Sequence, residues 1–263
     1  MKYQAGFIGV GNMGGALASA VHKSVSALAL CDRDTAKVQR LCDALTGASV
    51  TDADELAANA QFVFLAVKPN VILSVAASFA GNLAHEATVV TMAAGVSLAE
   101  ITAAAGTNRV IRIMPNTPAA VGEGMILYCC ANGVSAEDEA AFLRVMERAG
   151  KILKLDESLF DAAAALSGCG PAYVYLFAQA LADGAVACGV PRDQAALLAA
   201  QTLRGGAEML LKSGKHPEQL KDEVCSPGGT TIAGVMELEK GGVRAAAANA
   251  VIAAYEKTAK LKK

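Results

Sequence analysis

From Tyr3 to about Lys154, short apolar runs alternate with alanine-rich stretches of helical spacing. The runs are Tyr3 to Ile8, Val25 to Cys31, Phe62 to Val67, Thr88 to Met92 and Arg109 to Ile113. Near-continuous apolar runs of this length, separated by helices, are the rhythm of β-α units that wind into a parallel sheet buried on both faces. Two further runs, Met125 to Ala131 and Lys151 to Leu155, flank a stretch that opens Ser135-Ala136-Glu137-Asp138. A serine cap followed by early acids suits a helix N-terminus, and these runs are expected to extend the same sheet. Beyond about residue 155 the strand rhythm stops. Helix starts take over, one near Asp156 and others with Pro171 and Pro191 expected in the first-turn position that proline tolerates. Helices expected over 171–188 and 192–212 are apolar around most of their circumference, a surplus that needs another surface to cover it. The expected organisation is therefore an α/β domain over 1–155 and an all-helical domain over 156–263 that forms a dimer. The lysines of the tail, Lys257, Lys260, Lys262 and Lys263, read as a solvated helix end.

Composition narrows the classes. At 263 residues the chain suits one large domain or two modest ones, and 54% hydrophobic against 18% charged residues rules out a disordered chain. A formal net charge of -2 offers no global positive field, so no nucleic-acid partner is expected. The seven cysteines include no C-x-x-C pair and read as reduced, mostly buried thiols, which points to a cytoplasmic protein. His22, His85 and His216 stand far apart with no cysteine close by, so no metal is expected. Ala18-Ser19-Ala20 mimics a signal-peptide cleavage site, but Gly9, Gly11, Asn12, Gly14 and Gly15 interrupt the apolar region before it. The weakly charged run from Ala162 to Ala182 has the length of a membrane span, yet Gly168, Gly170 and Pro171 break it, so two buried helices and no membrane partner are expected.

The chemistry begins at Gly9-Val10-Gly11-Asn12-Met13-Gly14, which follows an apolar strand and opens an alanine-rich helix. In that context Gly9 permits a tight turn, Gly11 lets the backbone approach a pyrophosphate, and Gly14 lets helix and strand pack closely. The helix N-terminus supplies free N–H groups to the anion. The second run ends at Cys31-Asp32-Arg33, about 20 residues on, where a dinucleotide fold places the group that reads the adenosine ribose. Asp32 would accept from a free 2′-hydroxyl, whereas Arg33 would pair with a 2′-phosphate, so NAD and NADP both stay open at this point. Ala66-Val67-Lys68-Pro69 and Met114-Pro115-Asn116-Thr117-Pro118 lie at strand ends, where small molecules bind in open parallel sheets. Lys68 could equally be an ordinary surface lysine, and Asn116 could either shape a turn or hold a ribose or nicotinamide. In the helical half, Cys225-Ser226-Pro227-Gly228-Gly229-Thr230-Thr231-Ile232 sets small residues and hydroxyls before a helix. That is the recipe for a carboxylate site, and equally for a loop capped by Thr230 or Thr231.

Taken together, these motifs resemble the pyrroline-5-carboxylate reductase family along nearly the whole chain. The family's order is Phe7-Ile8-Gly9-Val10-Gly11-Asn12-Met13-Gly14, Val67-Lys68-Pro69, Met114-Pro115-Asn116-Thr117-Pro118 and Leu166-Ser167-Gly168-Cys169-Gly170-Pro171-Ala172-Tyr173-Val174. It closes on His216-Pro217, Leu220-Lys221-Asp222 and Ser226-Pro227-Gly228-Gly229-Thr230-Thr231. The resemblance implies a Rossmann-type dinucleotide-binding domain and an all-α dimerisation domain, dimers often joined in larger rings, and reduction of a cyclic imino acid with NADPH or NADH. It implies cofactor binding by Ile8, Gly9, Val10, Gly11, Asn12, Met13, Gly14, Asp32, Arg33, Ala66, Val67, Lys68, Pro69, Ala94 and Asn116. Substrate binding falls to Glu157, Ser226, Gly228, Gly229 and Thr230, with Thr231 as the hydrogen-bond partner or proton donor to the ring nitrogen. Glu157 could equally be a solvated first-turn acid. Cys169 stands where the family commonly has Ser. A β-hydroxyacid dehydrogenase shares the glycine pattern but needs a catalytic lysine where Gly170 to Ala187 has none, and a nucleotide sensor would not need the Ser226 to Thr231 loop.

Overall fold

In the computed structural model, which describes residues 1–261, the apolar runs form strands β1 Tyr3–Ile8, β2 Leu28–Cys31, β3 Ala48–Val50, β4 Ala60–Leu65, β5 Thr88–Thr91, β6 Val110–Met114, β7 Gly124–Cys130 and β8 Gly150–Lys154. They lie in one sheet, ordered β3-β2-β1-β4-β5-β6-β7-β8. Every pairing is parallel except β6 with β7, where Ile113 faces Tyr128. The exception follows from the connection: residues 115–123 hold one 3-10 turn, Thr117–Val121, closed by Gly122 at φ +79°. So short a link cannot make the crossover a parallel pair needs.

Helices α1 Asn12–His22, α2 Thr35–Ala44, α3 Ala53–Asn59, α4 Pro69–Ser78, α5 Leu98–Ala105 and α6 Ala136–Met146 belong with this sheet. Alternate strand residues feed two cores, as a sheet covered on both faces requires. Phe7, Phe62, Phe64 and Ile113 pack into one, with the Phe7 and Phe64 rings stacked at 4.4 Å, while Val63, Leu65 and Val89 pack into the other. Ser135 caps α6 in a capping box with Asp138, as its sequence predicts.

Several boundaries differ from the sequence reading. The strand expected from Val25 starts at Leu28, and the one expected over Phe62–Val67 covers Ala60–Leu65, so Ala66 and Val67 already belong to the loop at its end. The short edge strand β3 was not expected, because three residues carry too little pattern to announce a strand. The helix expected near Asp156 begins as one 3-10 turn, Glu157–Leu159, before α7 Phe160–Ser167. Pro191 is the N-cap of its helix and not a first-turn residue. The thiols are not mostly buried: Cys129 is, whereas Cys169 and Cys188 are exposed.

The chain divides into two compact units, residues 1–169 with 254–263, and residues 170–253. The first unit therefore reaches past residue 155, since Phe160 of α7 is fully buried in a cluster with Leu127 and Cys129 of β7. The second unit is helical: α8 Gly170–Ala187, α9 Arg192–Ser213, α10 Pro217–Glu223, α11 Thr230–Lys240 and the start of α12 Val243–Leu261. Its buried cluster is Ala182, Ala195 and Ala199, where α8 meets α9. Leu176, Leu197 and Leu211 are 74%, 70% and 75% exposed. Lys257 and Lys260 are exposed on the last turns of α12, and Lys262 and Lys263 lie outside the described residues. Among the described residues no helix is long and apolar enough to cross a membrane.

Candidate active site

At β1 the strand order reverses, with β2 on one side and β4 on the other, and ligands of open α/β sheets bind at such a switch point. A cavity of about 770 Å³ lies there, a size typical of small-molecule and cofactor sites. Ile8, Gly9, Gly11, Asn12, Met13, Asp32, Arg33, Ala66, Val67, Lys68 and Pro69 all line it. The glycines explain its shape. Gly9 turns at φ +99°, in the left-handed region that favours glycine. A Cβ at Gly14 would collide with Gly9 O and stand 2.8 Å from the Ala66 Cβ, so α1 sits hard against the strand ends. A Cβ at Gly11 would meet no atom within 4 Å and would occupy ligand space instead. The N-cap of α1 is Gly11 with no side-chain cap, which leaves the first N–H groups of the helix for an anion.

Four members of the expected cofactor set stand otherwise. Val10 is buried, and its N–H donates to Asp32 Oδ2 at 2.7 Å. Gly14 serves packing. Ala94 is exposed in the turn after β5 and does not line the cavity. Asn116 is buried and works on its own turn, with Oδ1 accepting from Met125 N and Nδ2 donating to Ser167 O, each at 2.9 Å. Sequence reasoning missed Lys37, which also lines the cavity. The signal was present: Asp34 caps α2 by accepting from Lys37 N, which puts Lys37 in its first turn, close after Arg33.

Glu157 is partly exposed, but it is tied into the fold and is not a free surface acid. Its Oε1 accepts from Leu98 N at 2.7 Å and from Arg112 Nη1 at 2.9 Å. Arg112, midway along β6, is buried, stacks 4.9 Å from the Phe160 ring centroid and has Asp161 Oδ1 3.6 Å from Nη2. An arginine inside Val110-Ile111-Arg112-Ile113-Met114 was itself a signal, because a buried charge needs partners. Burial, reinforced by Glu157, pushes the neighbouring Cys129 thiol up to about 12, and burial with Glu139 lifts Cys130 to about 11, so neither acts as a thiolate at neutral pH.

In the helical unit, α11 opens at Thr230 with Gly229 as N-cap and no side-chain cap, so neither Thr230 nor Thr231 caps it. The glycines again carry the reason. Gly228 turns at φ +69°, and a Cβ at Gly229 would run into Ser226 Oγ. Gly229 N donates to Ser226 O at 3.0 Å, which folds the loop back onto itself. The first-turn N–H groups of an 11-residue helix and two exposed threonine hydroxyls are left for an acceptor.

A dinucleotide cavity on a doubly wound sheet, in a chain with an anion-receptive helix start in a separate helical unit, defines the class: a dinucleotide-binding oxidoreductase fold. Residues 157–261 match the family model described as pyrroline-5-carboxylate reductase dimerisation, and residues 4–95 match that of NADP oxidoreductase, coenzyme F420-dependent. The chain is 42% identical to a pyrroline-5-carboxylate reductase of Arabidopsis thaliana over 99% of its own length and 96% of that protein's. It is 40% identical to one of Escherichia coli over the full length of both. A solved pyrroline carboxylate reductase of Plasmodium falciparum with NADP bound superposes over the full length of both chains, with a TM-score of 0.85 and 31% identity. The chain belongs to the pyrroline-5-carboxylate reductase family.

Proposed function

We propose that the chain reduces L-1-pyrroline-5-carboxylate to L-proline with NADPH, the last step of proline biosynthesis, as a cytoplasmic homodimer built through its C-terminal helices. The observation that carries this reading is the Ser226 to Thr231 loop, which opens an uncapped helix in a chain that also holds the glycine-turn cavity. When bound, the reduced nicotinamide supplies the hydride for the C=N carbon. The chain's own residues hold and orient. Backbone N–H groups of Thr230 and Thr231, with the Ser226 and Thr230 hydroxyls, receive the ring carboxylate, while Gly229 N stays with Ser226 O. The Thr231 hydroxyl donates a hydrogen bond to the ring nitrogen and relays a proton from water, since threonine is too weak an acid to be the source. A cyclic imine is easily protonated, so positioning carries much of the rate. Oε1 of Glu157 stays with Arg112 and Leu98.

The match to a dimerisation model and the bare leucines of α8 and α9 support the homodimer, and the family resemblance extends it to a ring of dimers. Seven free cysteines, two of them exposed, suit a reducing cytoplasm. The test is loss of nicotinamide absorbance with freshly prepared pyrroline-5-carboxylate, in the wild type and in Thr231→Ala. Turnover with kcat reduced about tenfold to a hundredfold in the variant is expected. Nucleotide binding without turnover in the wild type would overturn the assignment, and an unchanged variant would remove Thr231 from the chemistry.

A further inference from the structure

Asp32 stands at the end of β2, where an acid ordinarily accepts hydrogen bonds from a ribose 2′-hydroxyl. Both of its oxygens already serve the backbone. Oδ2 accepts from Val10 N at 2.7 Å and Oδ1 accepts from Asp34 N at 3.1 Å. The first of these bonds ties β2 to the glycine turn, next to the bond from Gly9 N to Cys31 O at 2.7 Å. Arg33 and Lys37 line the same cavity, and among the described residues their side chains make no hydrogen bond or ion pair.

We propose that Asp32 is a positioning residue for the glycine turn and does not read the ribose, and that Arg33 and Lys37 read a 2′-phosphate. The chain would then select the phosphorylated dinucleotide although it carries an acid at the end of β2. The inference deepens the reading of the cavity as an NADPH site and rests on it. An acid that binds a 2′-hydroxyl has to turn its oxygens to the ligand, and here each oxygen is held in place by an N–H group, one from the turn and one from the α2 start. Burial opposes ionisation of Asp32, but the N–H groups of Val10 and Asp34 and the charge of Lys37 outweigh it and hold the carboxyl below its ordinary range. The clamp is therefore charged throughout the neutral range. Two cations beside one committed carboxylate, neither of them in a hydrogen bond or ion pair among the described residues, leave a net positive site, and the planar donor fork of Arg33 suits a phosphate.

The test is calorimetric titration of the substrate-free full-length protein with ADP, 2′-deoxy-ADP and ADP carrying a 2′-phosphate. ADP and 2′-deoxy-ADP are expected to bind within about twofold of each other, and the 2′-phosphate to tighten binding by about tenfold or more. Arg33→Ala and Lys37→Ala should each remove most of that gain and leave ADP within about twofold of the wild type. Asp32→Ala should weaken ADP and 2′-deoxy-ADP alike, and Asp32→Asn, which keeps an acceptor for Val10 N, should recover part of the loss. A wild type that prefers ADP to 2′-deoxy-ADP by about tenfold, or that gains nothing from the 2′-phosphate, overturns the proposal. The wild-type comparison decides even where a variant does not fold. No imine is present, so a protein that failed to reduce pyrroline-5-carboxylate would still give a clear result here.

Discussion

The sheet unit and the helical unit solve the problem of a core in opposite ways. In the first, phenylalanine, leucine, isoleucine and valine from the strands are fully buried between two layers of helices, and the unit carries its own hydrophobic core. In the second, the side chains that reach burial are alanines where α8 meets α9, while Leu176, Leu197 and Leu211 of the same helices face outward. Burying a leucine contributes about 2 kcal/mol, so a helical unit that buries alanine and exposes leucine leaves most of its available stabilisation unused. What this teaches is that the second unit is half of a core. Another copy of the same helices is the proposed other half, and the match to a dimerisation model supports it.

The strongest way to break the comparison is to charge the bare helices. Leu176→Glu combined with Leu211→Glu should abolish association, lower the helical circular dichroism and cut turnover more than a hundredfold or so, each site counting once per copy. Nucleotide binding by the sheet unit should survive, and a calorimetric titration checks it. The sheet unit's own weak point is its buried charge. Glu157→Gln leaves Arg112 inside the protein without its closest anion and should cost about 3 kcal/mol in chemical denaturation, while Arg112→Met should cost less, because Glu157 reaches water.

A smaller effect separates packing from binding within the glycine turn. Gly14→Ala forces α1 away from Gly9 O and should destabilise by about 1 to 3 kcal/mol. Gly11→Ala meets no protein atom, so stability should stay within about 0.5 kcal/mol while nucleotide affinity falls. The smallest effect lies in the helical unit. Hydrogen bonds from Lys221 and Arg244 hold the Glu218 carboxyl down from its ordinary 4.5 to about 2. A depressed carboxyl contributes stability above its unfolded pKa and loses it as pH falls through the folded one, so the contribution fades between about 4.5 and 2. In acid titrations Glu218→Gln should flatten that window slightly, and less so in high salt, because the pair is exposed.

The same contrast explains what the sequence revealed. The sheet was legible because strands buried on both faces read as apolar runs, and the glycine turn was legible because Gly9 and Gly14 answer steric demands and Gly11 leaves room for a ligand. Bare leucines on α8 and α9 were legible as a surplus of apolar surface. Edge strand β3 and the reversal at β7 were not, since three residues carry no period and pairing direction is decided by the length of a connection. Asp32 was legible as a strand-end acid but not in its role, which depends on where Val10 N points. Asn116 and Glu157 show the same limit: residue type marks them as polar and placed near strand or helix ends, and only the fold reveals which backbone groups they hold.

The most direct measurement of the central claim is sedimentation equilibrium of the wild type over a dilution series, with helical circular dichroism followed on the same samples. A dimer or a multiple of it is expected at every concentration where the helical signal is intact, with mass and helicity falling together on dilution. A monomer that keeps its full helical signal would contradict it, because the helical unit would then have found its core within one chain.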